Sequence, residues 1–351
     1  MSEQHEPTAV YDAVVIGGGA AGLSAALVLA RSLRRVIVVD AGSPRNAPSR
    51  HLHGFLSREG TSPARLLEIG REEVRRYGGE VISGRVTEVR RSGAELPVTT
   101  AGPPIGGPDG PPLPEPAAPV RLRFEAVLAG DTVLVGDTVL HARRLLVATG
   151  CSDRLPDVPG LVERWGIDVL HCPYCDGWEV RDRPLAVLGT GDLSVRQALM
   201  LRQWSAEVTL VGRLSDDPSA RGRDRERLAA RGIRVMEGQV DRLLVRDDAL
   251  AGVGLADGMV VGCHALFVSP DPLPNLGVLS DLGCTTDEAG WLRVDEDGAT
   301  DVHGIWAAGN VVDPALQIAS AVDAGSRAAL ALNADLIAED VSLAVHHGHR
   351  A

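Results

Sequence analysis

The stretch YDAVVIGGGAAGLSAALVLARSLRRVIVVD, residues 11–40, decides the fold. Tyr11 to Ile16 reads as a short buried strand, and Gly17 to Gly22 as a tight turn. The Ala/Leu-rich run from Leu23 to Leu33 predicts a helix, and Arg35 to Val39 a second buried strand ending at Asp40. Strand, glycines, helix, strand and terminal acid together form the opening βαβ of a dinucleotide-binding fold. In the pattern GxGxxG, Gly17 allows the turn, Gly19 lets backbone approach a pyrophosphate, and Gly22 lets the helix pack on the strand. Ala20 and Ala21 fill the two variable positions at the helix N-terminus, where free N–H groups favour phosphate. Asp40 stands where a carboxylate accepts hydrogen bonds from ribose hydroxyls.

The same architecture recurs later. Pro184 to Leu188 begins a second strand, GTGDLS at 189–194 is a weaker glycine turn, and a helical pattern runs on through Trp204. Gly189 and Gly191 keep the first two glycine positions, while Ser194 takes the third. Glu207 to Val211 closes that βαβ with no acid at its end, and Arg213 is the one cation placed to meet a 2′-phosphate. Between the units, Pro63 to Tyr77 has helical spacing, Val81 to Val89 and Arg121 to Val139 alternate like a meander, and Arg144 to Ala148 is a buried strand leading into Gly150. Ser92 to Pro119, rich in Pro and Gly, predicts a floppy insertion, and residues 151–160 a proline-bearing linker. Ile233 to Gly258 and Ala265 to Val268 add strands. His303 to Gly309 predicts one more strand, and Gln317 to Leu336 a long helix. The expected fold is α/β, with two Rossmann-like dinucleotide-binding domains, the second inserted into the first. Expected boundaries are 1–153 with 268–340 for the first domain (insertion 92–119), 154–267 for the second, and 341–351 for a tail.

Cys172-Pro173-Tyr174-Cys175 lies between the two glycine signatures, followed by Asp176. Three readings stand. A zinc site needs about four ligands, and the chain has no second CxxC or paired His beyond His171, Cys151 and Cys263. An inert core pair needs no such setting. A redox-active pair uses Pro173 to stiffen the ring, a lowered thiol pKa, and Asp176 as a proton donor or acceptor. Cys151, Cys263 and Cys284 read as small packing residues, His51 and His53 as a loop that is either solvated or set near a bound cofactor, and His346, His347 and His349 as a terminal cluster.

The bulk properties set bounds. At 351 residues the chain suits two domains, at roughly 150 residues each. With 44% apolar and only 3% aromatic residues, its core must be built from Ala, Val and Leu. A net charge of −12 argues against nucleic acid or anionic membrane as partner. Residues 1–9 lack a signal-peptide pattern, and no apolar run is long enough to span a membrane. The odd number of cysteines, five, does not suit a secreted disulfide framework, so the expected location is cytoplasmic.

The chain resembles the low-molecular-weight thioredoxin reductases over nearly its whole length apart from 92–119. The marks are GGGAAG at 17–22, ATG at 148–150, CPYCDG at 172–177, GTGDLS at 189–194 and the AAGNVVD…Q run from Ala307 to Gln317. The resemblance implies a flavoprotein of the pyridine nucleotide-disulfide oxidoreductase family and a homodimer. FAD is then expected on the first unit, NADP(H) on the second, and the CxxC against the flavin. By motif position, Gly17, Gly19, Gly22 and Asp40 hold the ADP half of FAD, with Arg45 and Asn46 further along and Val86 flanking adenine. Gly150 lies near the flavin, Gly309 and Asn310 meet the ribityl and phosphate region, and Gln317 and Ile318 face the pyrimidine edge. Two features depart from the reductases. Gly212-Arg213-Leu214 stands where they carry His-Arg-Arg, and Asn310 replaces their usual Asp. CPYC followed by Gly177-Trp178-Glu179 resembles the dithiol oxidases of gliotoxin and holomycin biosynthesis. The expected activity is therefore FAD-dependent oxidation of a small-molecule dithiol through Cys172 and Cys175, with O2 as acceptor. The alternatives are an NADPH-dependent thioredoxin reductase, with thioredoxin as partner, and a flavin-binding protein that sequesters or senses thiols.

Overall fold

Strand Val10–Ile16 pairs in parallel with Val36–Asp40 on one side and Thr138–Val147 on the other. These three strands centre a seven-stranded sheet that runs Glu80–Ser83, Val36–Asp40, Val10–Ile16, Thr138–Val147, Phe124–Ala129, Arg85–Arg91. Ile305–Ala307 joins the far half of Thr138–Val147 in parallel. Ala13 to Ile16, Val36 to Val39 and Leu145 to Val147 are all buried, as in parallel strands covered on both faces. The computed structural model describes residues 10–91, 124–129 and 138–348. The expected insertion at 92–119 and the N-terminal segment 1–9 lie outside the described residues.

The chain divides into two compact units, one of residues 1–43, 69–150 and 274–351, the other of 44–68 and 151–273. Both carry the Rossmann-like pattern. In the first, helix Ala20–Arg31 crosses the C-terminal helix Ile318–Gly348 closely. A Cβ on Gly325 would lie 2.1 Å from the Ala21 carbonyl oxygen.

The expected tail from 341 is helix as far as Gly348, and residues 349–351 lie outside the described residues. Ion pairs anchor the helix just ahead of that stretch. Buried Arg144 meets Asp335 at 2.5 Å and Glu339 at 2.7 Å, while Arg143 and Arg34 both reach Asp340.

In the second unit, Arg234–Glu237, Val208–Arg213, Leu185–Thr190, Ala265–Phe267 and Val169–Leu170 form a five-stranded sheet. Every pairing in it is parallel. Val240–Arg246, Ala249–Leu255 and Val260–Gly262 make an antiparallel meander. Helix Pro218–Ala230 starts with Asp217 as N-cap, accepting from the N–H groups of Ser219 and Ala220, and Pro218 follows at the first turn. The expected linker at 151–160 is not wholly irregular, because Cys151–Arg154 pairs with Asp271–Pro274. Its prolines fall after that strand, where no ladder N–H is required.

Candidate active site: the cysteine pair and two glycine turns

Cys172 and Cys175 are joined as a disulfide, with Cα atoms 5.2 Å apart. The spacing comes from one short helical turn, Pro173–Asp176. Its N–H groups at Cys175 and Asp176 both donate to the Cys172 carbonyl, and the Cys175 N–H also reaches Cys172 Sγ at 3.2 Å. Pro173 opens the turn, where its missing N–H costs nothing. Gly177 closes it, because a Cβ there would lie 2.8 Å from the Trp204 ring. Tyr174 packs edge-on against Trp204, with ring centroids 5.8 Å apart, yet stays exposed. Trp178 is also exposed, with the Arg181 guanidinium 3.9 Å above its ring.

Asp176 is half-buried beside the pair. Burial raises its carboxyl to about 6; the nearby Glu179 charge adds to the rise and His53 opposes it. His53 is not on a merely solvated loop. Its Nδ1 lies 2.6 Å from Glu59 and its Nε2 3.5 Å from Glu179, with only a fifth of the side chain exposed. The hydrogen bond to Glu59 raises the imidazole pKa. His51 lies beside it with ring centroids 6.3 Å apart.

The zinc reading is undercut at its own residues. Cys172 and Cys175 are bonded to each other, whereas zinc binds cysteines as thiolates. Cys151 and Cys263 are buried, with burial pushing the Cys263 thiol up to about 12. Among the described residues, no group of three or more His, Cys, Asp or Glu side chains is placed to hold a metal.

In the first unit the sheet brings three turns together at the strand ends. A Cβ on Gly17 would lie 2.3 Å from the Ala148 carbonyl oxygen, and one on Gly309 would lie 2.9 Å from Ala21. Gly19 is the N-cap of helix Ala20–Arg31, with no side-chain cap and open space beside it. Asp40 ends its strand with one oxygen 2.7 Å from Arg71 and the other accepting the Gly42 N–H. Gly150, at φ +66, accepts from the Asn275 N–H, and Thr149 and Asn275 exchange two further hydrogen bonds. Asn310 donates to the carbonyls of Asp313 and Leu316, bracing the loop into Gln317 and Ile318, where the C-terminal helix begins. Val86 is a buried core residue of the sheet. Arg45 and Asn46 fall in the second unit, where Arg45 holds Asp153 in a bidentate pair at 2.8 and 2.7 Å.

The second turn is built differently. Gly189 approaches the backbone of Arg213, where a Cβ would lie 2.7 Å from its carbonyl oxygen. Gly191 takes φ +140 ahead of helix Asp192–Leu201. The buried Ser194 hydroxyl accepts the Thr190 N–H at 2.9 Å. Exposed Arg213 pairs with Asp216 at 3.3 Å. Arg221, absent from the sequence reading, reaches the same loop from the following helix and donates to the carbonyls of Ser215 and Asp216. Arg71 and Asn275 were missed likewise. Each reaches a motif residue from a distant stretch of chain, and no local pattern marks it.

Two Rossmann-like units and a CxxC disulfide define an oxidoreductase of the dinucleotide-binding disulfide class. The chain belongs to the pyridine nucleotide-disulphide oxidoreductase family, which it matches over residues 11–328. It is similar to the crystal structure of HlmI, at 48% identity and a TM-score of 0.83, over 97% of each chain. It is 27% identical to thioredoxin reductase sirT of Leptosphaeria maculans, over 95% of this chain and 96% of that one. A probable thioredoxin reductase of Arthroderma benhamiae is 35% identical over 51% of this chain and 38% of its own length. The protein is thus a thioredoxin reductase-like oxidoreductase, and FAD is the cofactor of such proteins. The first unit fits that group. An uncapped helix N-terminus, open space at Gly19 and a carboxylate at the strand end supply the three parts a dinucleotide needs. None of the described helices is long and apolar enough to cross a membrane.

Proposed function

We propose that the protein oxidises a small-molecule dithiol to its disulfide through Cys172 and Cys175. Cys172 takes the substrate thiolate, Cys175 leaves as a thiolate, and the second substrate thiol resolves the mixed disulfide. Asp176 takes the proton of that second thiol. A carboxyl at about 6 suits the work, being mostly ionised at neutral pH and basic enough to accept a proton. Gly17, Gly19, Gly22 and Asp40 hold the ADP half of FAD, with Gly150 and Gly309 leaving room for the rest. An Asn310 amide whose N–H groups are spent on Asp313 and Leu316 offers an acceptor, which suits a ribityl hydroxyl better than a phosphate. FAD held there would supply the two-electron acceptor for the reduced cysteine pair, with O2 as the final oxidant and hydrogen peroxide as the product.

The observation that carries the oxidase direction is the loop after strand Val208–Arg213. Arg213 faces Asp216, Arg221 spends its guanidinium on loop carbonyls, and Asp217 caps the next helix. Its arginines are matched by its acids, so the loop has no net positive charge to receive a 2′-phosphate. An NADPH-dependent thioredoxin reductase needs that charge. The test is an anaerobic titration of the holoenzyme with NADPH, beside aerobic peroxide formation from a dithiol. Dithiol-dependent peroxide with no flavin bleaching by NADPH is the expected result. Fast bleaching by NADPH sinks the oxidase reading and makes the protein a reductase. Cys175→Ser is expected to abolish turnover with FAD retained, measured by the flavin absorbance of the purified variant.

A further inference from the structure

The loop from His51 to Glu59 belongs to the same unit as the cysteine pair, and the chemistry above does not use it. It is a built feature. Glu59 accepts both the His53 ring at 2.6 Å and the Gly54 N–H at 2.9 Å, which fixes the loop on itself. The other ring nitrogen faces Glu179, three residues beyond Asp176. A ring with a carboxylate at each nitrogen is favoured as imidazolium, since only that form donates from both. The charged groups facing it are therefore Glu59, Glu179 and Asp176, with His51 the neighbouring ring. Glu179 sits on the same turn as Asp176, its N–H donating to the Asp176 carbonyl at 3.2 Å; its like charge acts on the Asp176 carboxyl, and His53 supplies the opposing charge among the described residues.

We propose that His53 is a positioning residue for the dithiol reaction: fixed between Glu59 and Glu179, it supplies the positive charge that keeps Asp176 ionised to receive a thiol proton. The proposal rests on the dithiol reading above. A substrate thiol loses its proton to water, and its thiolate bonds to Cys172 Sγ, breaking the S–S bond and releasing Cys175 as thiolate. The second substrate thiol gives its proton to Asp176 as its sulfur displaces Cys172 from the mixed disulfide. The substrate is oxidised by two electrons, and the cysteine pair is reduced by two. Without His53, Asp176 would sit half-buried beside Glu179 with no compensating charge, and would hold its own proton at higher pH.

The experiment follows anaerobic flavin bleaching of the holoenzyme by dithiothreitol from about pH 5 to about pH 8. Wild type should lose rate as pH falls through about 6, where Asp176 protonates. His53→Gln should move that limb to higher pH by about half a unit to one unit, costing about two- to fivefold in rate near pH 6 and little near pH 8. His53→Arg, with a permanent charge, should restore the wild-type limb. A limb that does not move in His53→Gln overturns the proposal. So does an equal loss in both variants at every pH, which would mark a structural role. The pH dependence of iodoacetamide alkylation at Cys172 of the reduced protein gives a readout that does not depend on electrons reaching the flavin. There, His53→Gln should shift thiolate formation to higher pH and His53→Arg should not. If dithiothreitol bleaches no wild-type flavin at any pH, the functional reading fails. The alkylation profiles then still report whether His53 sets the charge at the cysteine pair.

Discussion

At Gly22 the first glycine turn lets its helix rest so close that a Cβ would lie 1.9 Å from the Gly17 carbonyl oxygen. At Ser194 the second turn places a buried hydroxyl, which accepts the Thr190 N–H. The strand ends are mirror images. Asp40 is held by Arg71 at the first, and Arg213 faces Asp216 at the second. Both turns keep an uncapped helix N-cap with open space beside it, at Gly19 and at Gly191, and the first adds an acid for a ribose. The second closes one of its own N–H groups inward and sets acids against its arginines. A shared GxGxx pattern thus describes two different binding surfaces, and the difference lies in what surrounds the glycines.

The strongest way to break this comparison is at Gly22. Gly22→Val puts side-chain atoms into the Gly17 carbonyl, with backbone as the obstacle, so the turn must open. We expect loss of essentially all bound FAD, read from the ratio of flavin to protein absorbance, with a lower Tm. Retention of flavin would show that the first turn is not the cofactor cradle. Next in size is Arg144→Ala, which leaves Asp335 and Glu339 without their buried partner. Arg143 stays on Glu339 and His303 on Asp335, so the expected cost is about 3 kcal/mol, the low end for breaking a buried ion pair from one side. Denaturant unfolding measures it. Cys172–Cys175 exchange with a small dithiol should survive in whatever fraction stays folded, because those residues belong to the other unit.

Ser194→Ala is a milder probe. It removes the partner of both the N–H and the hydroxyl of Thr190, which is exposed, so water can take its place. About 1 kcal/mol of stability should go, with flavin occupancy unchanged. A fall in flavin occupancy like that of Gly22→Val would mean that both turns serve the flavin.

Much of this contrast was legible in the sequence. Glycine spacing, the buried strands on either side and Asp40 fix the first turn, because each is a local requirement of backbone geometry. Ser194 and the solitary Arg213 already mark the second turn as altered. Arg71, Arg221, Asn275 and the packing of His53 against Glu179 were not legible. Their partners come from other elements, and only the folded chain decides which charged surface residue reaches which loop. The helical stretch after 341 was missed for the same reason. The helix is anchored just before it, where Arg34, Arg143 and Arg144, far back in the chain, hold Glu339 and Asp340.

The finest distinction between the turns is the charge at Arg213. Its pair with Asp216 is exposed on both sides, at 69% and 75% of the side-chain surface. Such pairs contribute only about 0.2–1 kcal/mol, so the contact itself does not lock Arg213 away from a phosphate. What opposes a 2′-phosphate is the local sum of charge, which Asp216 lowers by one. Asp216→Asn removes that charge and keeps the backbone carbonyl that accepts from Arg221. NADPH should then bind about two- to fivefold more tightly, with NADH unchanged. The gain should shrink as salt rises, since the groups are exposed. Fluorescence titration of both nucleotides at two ionic strengths reads this directly. An equal gain for NADH would place the effect away from the 2′-phosphate. Tight NADPH binding by wild type would remove the contrast between the two turns and leave Ser194 as a detail of packing.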